Sequence, residues 1–213
     1  KRPCFHDEYL DTYNRPNVHL VDTHGEGVER MTENAVIANG KAYEVDCLIF
    51  ATGFEVGTSY TRRAGYDIIG KNGVHLSDHW ADGVRTLQGL SSHGFPNCFF
   101  LGFTQTAITV NVPHALNEQA KHISYIVSQA LEGNHQVIEA TEEAESEWVN
   151  TIVQMARMNE KFLADCTPGY YNNEGKPSER SSQNSSFGGG PVAFFKLLED
   201  WREDGTMQGL EIS

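Results

Sequence analysis

The stretch Asp46-Cys47-Leu48-Ile49-Phe50-Ala51-Thr52-Gly53-Phe54 decides how the rest of this chain is read. An aspartate opens a nearly unbroken apolar run that stops abruptly at a threonine and a glycine. A strand with one wet face alternates polar and apolar residues, whereas a strand covered on both faces is apolar throughout, as in the parallel sheet of an α/β protein. The run therefore predicts a buried strand over 46–50. Gly53 ends it where the backbone turns or passes close to a ligand, and the carboxyl ends of such strands are where open α/β sheets bind their ligands. An ordinary turn glycine explains the position equally well.

Working outward, Val18 to Asp22 predicts a strand, Ala35-Val36-Ile37 another, and Asn39-Gly40 a hairpin turn leading into Val45 to Phe50. Downstream, Asp78-His79-Trp80 suits a short helix or turn. Gly94-Phe95-Pro96-Asn97 introduces the apolar run Cys98 to Gly102, a further buried strand by the same argument. Asn111 to Leu131 has helical spacing, with Leu116, Ala120, Ile123, Ile126, Val127 and Ala130 on one side and Gly133 as a stop. Thr141 followed by Glu142 and Glu143 places a hydroxyl cap and acidic residues at the start of a second helix towards Leu163. Residues 168–191 are rich in Gly, Asn and Ser and predict a long loop. Residues 192–203 predict a terminal amphipathic helix whose Phe194, Phe195, Leu197, Leu198 and Trp201 face the core.

Composition narrows the function classes. Among 213 residues, 16 Lys and Arg stand against 29 Asp and Glu, a net charge of −13. That balance repels phosphate backbones, and no basic stripe interrupts it, so a nucleic-acid partner is disfavoured. No apolar stretch approaches the roughly 18 residues a membrane helix needs, and no signal segment opens the chain. A soluble cytoplasmic protein is expected. Cys4, Cys47, Cys98 and Cys166 are far apart and form no CxxC pair, which fits reduced thiols rather than a zinc site or a disulfide framework. His75 and His79 stand four apart without a third ligand, so no metal is expected. His114 reads as a packing residue rather than a catalytic one. The chain begins at Lys1 and has no methionine before Met31, which a trimmed terminus and the carboxyl-terminal part of a longer chain both explain.

Several segments fall in a telling order: Lys1-Arg2-Pro3, Tyr13-Asn14-Arg15-Pro16-Asn17-Val18, the 46–54 stretch, Gly94-Phe95-Pro96-Asn97, Ala115 to His122, Trp148-Val149, and Pro168-Gly169-Tyr170-Tyr171-Asn172-Asn173-Glu174-Gly175. Together they resemble the carboxyl-terminal part of FAD- and NADPH-dependent Baeyer-Villiger monooxygenases over nearly the whole chain. The resemblance implies an α/β fold, a partial flavoprotein with two Rossmann-like dinucleotide-binding domains. Residues 1–50 would close the NADPH domain, and 51–213 would form the carboxyl-terminal half of the FAD domain, with a mobile loop at 168–191.

The resemblance also implies roles that bare sequence does not. Lys1 would contact the adenosine side of NADPH near its 2′-phosphate, and Arg2 would reach the flavin as the catalytic cation. A flexible ammonium suits a phosphate as a point charge, while a guanidinium stays protonated and offers a fixed fork of donors. Such a cation stabilises negative charge that develops on oxygen in a water-poor site. Gly53 would mark the crossover between the two domains. Gln105 to Pro113 would lie along the isoalloxazine ring, with a backbone group near Asn111 or Val112 touching it, since N–H groups point outward at a helix start. Asn111 as a plain N-cap explains its identity equally well.

Two departures stand out. Thr167 is the nearest position to a tryptophan that many family members carry over NADP, so that closure is expected to differ or to fall to Tyr170 or Tyr171. No G-x-G-x-x-G is present, and Gly188-Gly189-Gly190 has the wrong spacing, so the phosphate-cradling turns are expected in a missing amino-terminal portion of the same enzyme. The implied reaction converts a ketone to an ester or lactone with NADPH and dioxygen. A nitrogen- or sulfur-oxygenating flavin monooxygenase is the alternative, opposed by the Lys1-Arg2-Pro3 start, and a non-catalytic module needing a partner chain is another.

Overall fold

In the computed structural model the described residues are 5–53, 60–156 and 180–213, and the chain divides into two compact units, Lys1–Phe54 and Glu55–Ser213. The first unit opens with a single helical turn, α1 (Tyr9–Thr12). It is built around an antiparallel meander of β1 (Arg30–Met31), β2 (Ala35–Ala38) and β3 (Lys41–Glu44), in that order. The turn between β2 and β3 is the expected Asn39-Gly40. Both residues have positive φ, 52° and 70°, the requirement of a two-residue hairpin turn whose twist matches its strands. This sets the register Ala38↔Lys41 through Ala35↔Glu44. Ala35, Ile37 and Ala38 are buried, so β2 carries the small core. Val21, Val28, Val36, Ala38, Tyr43 and Val45 line a largely apolar hollow of about 420 Å³.

Two expected strands of this unit are not formed. Val18 to Asp22 is irregular, held where the Asn39 side-chain amide donates to the Asp22 carbonyl at 2.7 Å. Residues 46–53 are irregular too, and Ile49 is 81% exposed, with Leu48 and Phe50 also in the open. An apolar run of this kind becomes a strand when neighbours pair its backbone and cover both faces. Among the described residues no ladder pairs it.

The second unit contains α2 (Tyr60–Ala64), a 3₁₀ turn at Lys71–Gly73, α3 (Leu76–His79), α4 (Val112–Glu132), β4 (Ile138–Ala140), α5 (Glu142–Met155), α6 (Arg180–Gln183), α7 (Pro191–Asp204) and β5 (Leu210–Ile212). β4 and β5 form an antiparallel ribbon with Ile138 opposite Ile212. Local signals place the long helices. The Asn111 side chain accepts the His114 N–H at 3.2 Å, Pro113 stands in the first turn and Gly133 ends α4. Thr141 Oγ1 accepts the Ala144 N–H at 3.1 Å to start α5. Gly205, with φ 70°, closes α7 in the left-handed conformation that suits glycine. Thr141→Ala removes the α5 cap and is expected to cost about 1 kcal/mol, read as a thermal midpoint lower by roughly 2–4 °C.

Trp148 and Ile152 of α5, Phe194 and Leu198 of α7, Phe187 and Ala107 form one buried cluster, and Trp148 stacks on Phe187 with ring centroids 5.7 Å apart. Ile126 and Ala130 of α4 meet Ile138 in a second, with Trp201 packed against it.

The structure corrects four expectations here. Cys98 to Gly102 is not a strand, and Leu101 is exposed; no neighbouring strand pairs it among the described residues. The buried side of α4 runs through Ala115, Gln119, His122, Ile126 and Ala130, and Ala120 faces outward: the buried stripe includes two polar side chains, which carry their partners with them, rather than the apolar set alone. Helix α5 ends at Met155, and residues 157–163 lie outside the described residues. Of the 168–191 loop, 168–179 lie outside them, and 180–183 form α6.

Candidate functional site

The amino end of α4 is the element where a ligand-facing surface is built from below. Gln105, Thr106 and Ala107 are buried, but the chain then emerges: Ile108 and Val110 are exposed and Val112 opens the helix. Thr109 Oγ1 accepts the Asn111 N–H at 3.3 Å, and the Asn111 cap serves only His114. The first turn of a 21-residue helix therefore points N–H groups outward with the positive end of its dipole. Bare apolar side chains beside outward N–H groups suit a flat ring with an electron-rich edge. His114 packs its ring edge-on to Phe195 of α7 at 5.2 Å, joining the two helices.

Beneath this span lies a polar knot. Gln119, fully buried in α4, accepts the Gly102 N–H at 3.1 Å and donates to the Gly102 carbonyl at 2.9 Å. Thr106 Oγ1 donates to the same carbonyl at 2.6 Å. Gln105 donates from Nε2 to the Val84 and Gln183 carbonyls at 2.7 and 2.9 Å and accepts from the Thr86 hydroxyl. Gly89 makes room for it: a Cβ there would sit 2.2 Å from Thr106 Cγ2.

Elsewhere in the second unit two buried carboxylates gather donors from remote stretches. Glu145 of α5 accepts from His79 Nε2, Arg85 Nε and the His93 N–H, each at 3.0 Å. Glu139 of β4 accepts from Lys71 Nζ at 2.6 Å and the Gly94 N–H at 2.9 Å. Burial pushes both carboxyls up, but these donors and charges outweigh it and hold both below the ordinary 4.5.

His122, fully buried in α4, has Arg202 of α7 donating to its Nδ1 at 3.3 Å and the Trp201 ring 4.7 Å away, while its Nε2 has no hydrogen-bond partner. Burial, and then the Arg202 charge, lowers its pKa from 6.5 to about 4. A base with a depressed folded-state pKa binds its proton first in the unfolded chain. The unit is therefore expected to lose stability as pH falls from 6.5 to 4, approaching about 3 kcal/mol from this group. Denaturant melts across that range should show the loss in the parent and not in His122→Leu.

The sequence-derived site residues are distributed as follows. Lys1 and Arg2 lie outside the described residues. Gly53 belongs to the first unit and has φ 86°, with open space around the position a Cβ would take. Asn111 and Val112 stand together at the head of α4 in the second unit. Sequence reasoning did not single out Gln119 or Glu145, and it took Gln105 only as the first residue of the 105–113 span. The first two carried a signal: each interrupts an apolar helical stripe, Gln119 between Ala115 and His122, Glu145 at the start of the Trp148, Val149, Ile152 spacing. A polar residue on a buried stripe needs partners.

No family model matches the chain. It is 55% identical to a pentalenolactone D synthase of Streptomyces exfoliatus over all of its own length and 37% of that protein's. It is 46% identical to a Baeyer-Villiger monooxygenase of Streptomyces coelicolor over 96% of its length and 34% of the other's. Among solved structures it matches a polycyclic ketone monooxygenase of the fungus Thermothelomyces thermophila with a TM-score of 0.82 and 36% identity, covering all of this chain and 35% of that one. It also matches a cyclohexanone monooxygenase of Rhodococcus sp. Phi1 bound to NADP+, with a TM-score of 0.78 and 31% identity, over all of this chain and 39% of that one.

The fold is thus part of the α/β fold of flavin monooxygenases. More narrowly, the chain is homologous to the carboxyl-terminal part of Baeyer-Villiger monooxygenases. It spans little more than a third of the length of the relatives it matches. No helix among the described residues is long and apolar enough to cross a membrane.

Proposed function

We propose that this chain serves an FAD- and NADPH-dependent oxygenation of a polycyclic ketone to a lactone in the cytoplasm. The observation that carries the reading is the match of the whole chain to about a third of a pentalenolactone D synthase at 55% identity and of a polycyclic ketone monooxygenase at a TM-score of 0.82. Residues 1–50 close the NADPH domain and 51–213 form the second half of the FAD domain.

The described residues fit the ring end of a flavin. Ile108, Val110 and Val112 offer an apolar face, and the outward N–H groups near Asn111 would suit electron-rich ring atoms. They do not provide for its diphosphate, which needs a G-x-G-x-x-G turn between a strand and a helix; Gly188-Gly189-Gly190 ahead of α7 has the wrong spacing, and the amino-terminal portion of such an enzyme supplies that turn. Bound FAD supplies the oxygen-activating chemistry. Lys1 holds the 2′-phosphate of NADPH, Arg2 holds negative charge on oxygen near the flavin, and Gly53 lets the chain cross between domains without a side chain in the way.

The test is a panel of polycyclic ketones, amines and sulfides offered to the FAD-loaded holoenzyme with NADPH under ¹⁸O₂. One labelled oxygen in a lactone is expected. Labelled amine or sulfide oxides with no ester or lactone would overturn the reading in favour of a nitrogen- or sulfur-oxygenating enzyme.

A further inference from the structure

The span from Ile108 to Val112 is exposed in its middle and held at both ends. At one end the Asn111 cap and α4 fix it. At the other, one residue uses every hydrogen-bonding group it has. The Gln105 N–H donates to the Ser185 carbonyl at 2.9 Å, and its carbonyl accepts from Trp148 Nε1 at 3.2 Å. Its Nε2 donates to the Val84 and Gln183 carbonyls, and its Oε1 accepts from the Thr86 hydroxyl. The side chain is fully buried, and the backbone sits at φ 59°, a left-handed conformation that is uncommon outside glycine. Next to it, the Phe187 N–H donates to the Thr106 carbonyl at 2.8 Å.

Three remote stretches, 84–86, 183–187 and α5, are thereby tied to the point where the span leaves the core. The task demands this side chain. Two carbonyls call for two N–H donors, and a hydroxyl calls for an acceptor on the same group, which only a carboxamide supplies. Asparagine is one methylene shorter, and glutamate offers no donor.

We infer that Gln105 is a positioning residue for the flavin-facing span. It sets where Ile108, Val110 and the first turn of α4 lie relative to 183–187, and it acts on the flavin through that span rather than by touching it. The inference rests on the flavin reading above, and residues 108–112 form the span in question.

The test pairs Gln105→Met, which keeps length and loses every side-chain bond, with Asn184→Ala. The latter removes the Asn184 Oδ1 that accepts the Val84 N–H at 2.8 Å and leaves Gln105 intact. Hydrogen exchange is followed in the holoenzyme together with the visible absorption band of bound FAD. In Gln105→Met the amides of 106–112 should exchange about tenfold faster than in the parent, those of α4 beyond Gln119 should not change, and the flavin band should shift or lose its fine structure. Asn184→Ala should move the same amides and the same band less far. If Gln105→Met does not fold, the Asn184→Ala result decides alone. A flavin band identical to the parent's would overturn the inference even where exchange quickens, since a residue that serves folding alone would leave the flavin untouched. Failure of the flavin reading shows elsewhere, in a parent protein that holds no flavin at all.

Discussion

Glu145→Ala is expected to lower the stability of the second unit by about 3 kcal/mol, enough to drop its thermal midpoint by roughly 6–12 °C. The carboxylate is fully buried, and three donors converge on it: His79 Nε2, Arg85 Nε and the His93 N–H. Removing it leaves those donors facing apolar surroundings. The Arg85 and His79 side chains retain 32% and 20% of their exposure, so both recover some hydration, which puts the cost at the lower end of the range for a broken buried pair. Glu147→Ala, two residues on and exposed, is the control and should stay within about 0.5 kcal/mol of the parent. Circular dichroism melts of both variants check this, and a Glu145→Ala midpoint equal to the control's would refute the hub.

The same residue predicts a pH window. Its folded-state pKa lies below the ordinary carboxylate value, so the unfolded chain takes up the proton first as pH falls. The stabilisation is complete above pH 4.5, the ordinary value, and is lost below it as pH descends through the folded pKa. Glu139 adds to the loss in that direction. His122 acts earlier, between 6.5 and 4. Acid unfolding of the parent should therefore begin with His122 and steepen below 4.5, and Glu145→Ala should flatten the lower part.

What the sequence disclosed follows from how local the causes were. The Asn39-Gly40 turn, the Asn111 and Thr141 caps and the Gly133 stop act over four residues or fewer, and each is found at the expected position, although the strand after the turn is Lys41–Glu44 rather than Val45 to Phe50 and α5 ends at Met155 rather than near Leu163. The runs at 46–50 and 98–102 carry the composition of buried strands, but strand geometry comes from neighbours, and none pairs them among the described residues. The site divides in the same way. The place of Asn111 and Val112 against a flavin came from the family resemblance alone, while the helix start there was legible because it is a local event. Gln105 was not, since its side-chain partners Thr86, Val84 and Gln183 lie 19, 21 and 78 residues away. Gln119 and Glu145 stand between: their stripes mark them as buried, while their partners become visible only with the fold.

Arg2→Ala in the FAD-loaded holoenzyme is expected to slow ketone oxygenation by about 10²- to 10³-fold, or about 3–4 kcal/mol of transition-state stabilisation. Arg2 lies outside the described residues, and its role rests on the Lys1-Arg2-Pro3 resemblance. The chemistry makes the size of the effect. Oxygen insertion beside a carbonyl places negative charge on oxygen, and a guanidinium bears its positive charge at every working pH. Alanine removes that charge. Arg2→Lys separates charge from shape: it keeps a cation and loses the planar fork, so its rate should fall between the two. Lys1→Ala makes a different prediction, a raised KM for NADPH with kcat nearly unchanged, because a phosphate contact remote from the reacting atoms contributes the same to ground state and transition state. Steady-state rates of lactone formation, measured beside NADPH consumption, distinguish these outcomes. Oxygenation by Arg2→Ala at the parental rate would remove Arg2 from the chemistry.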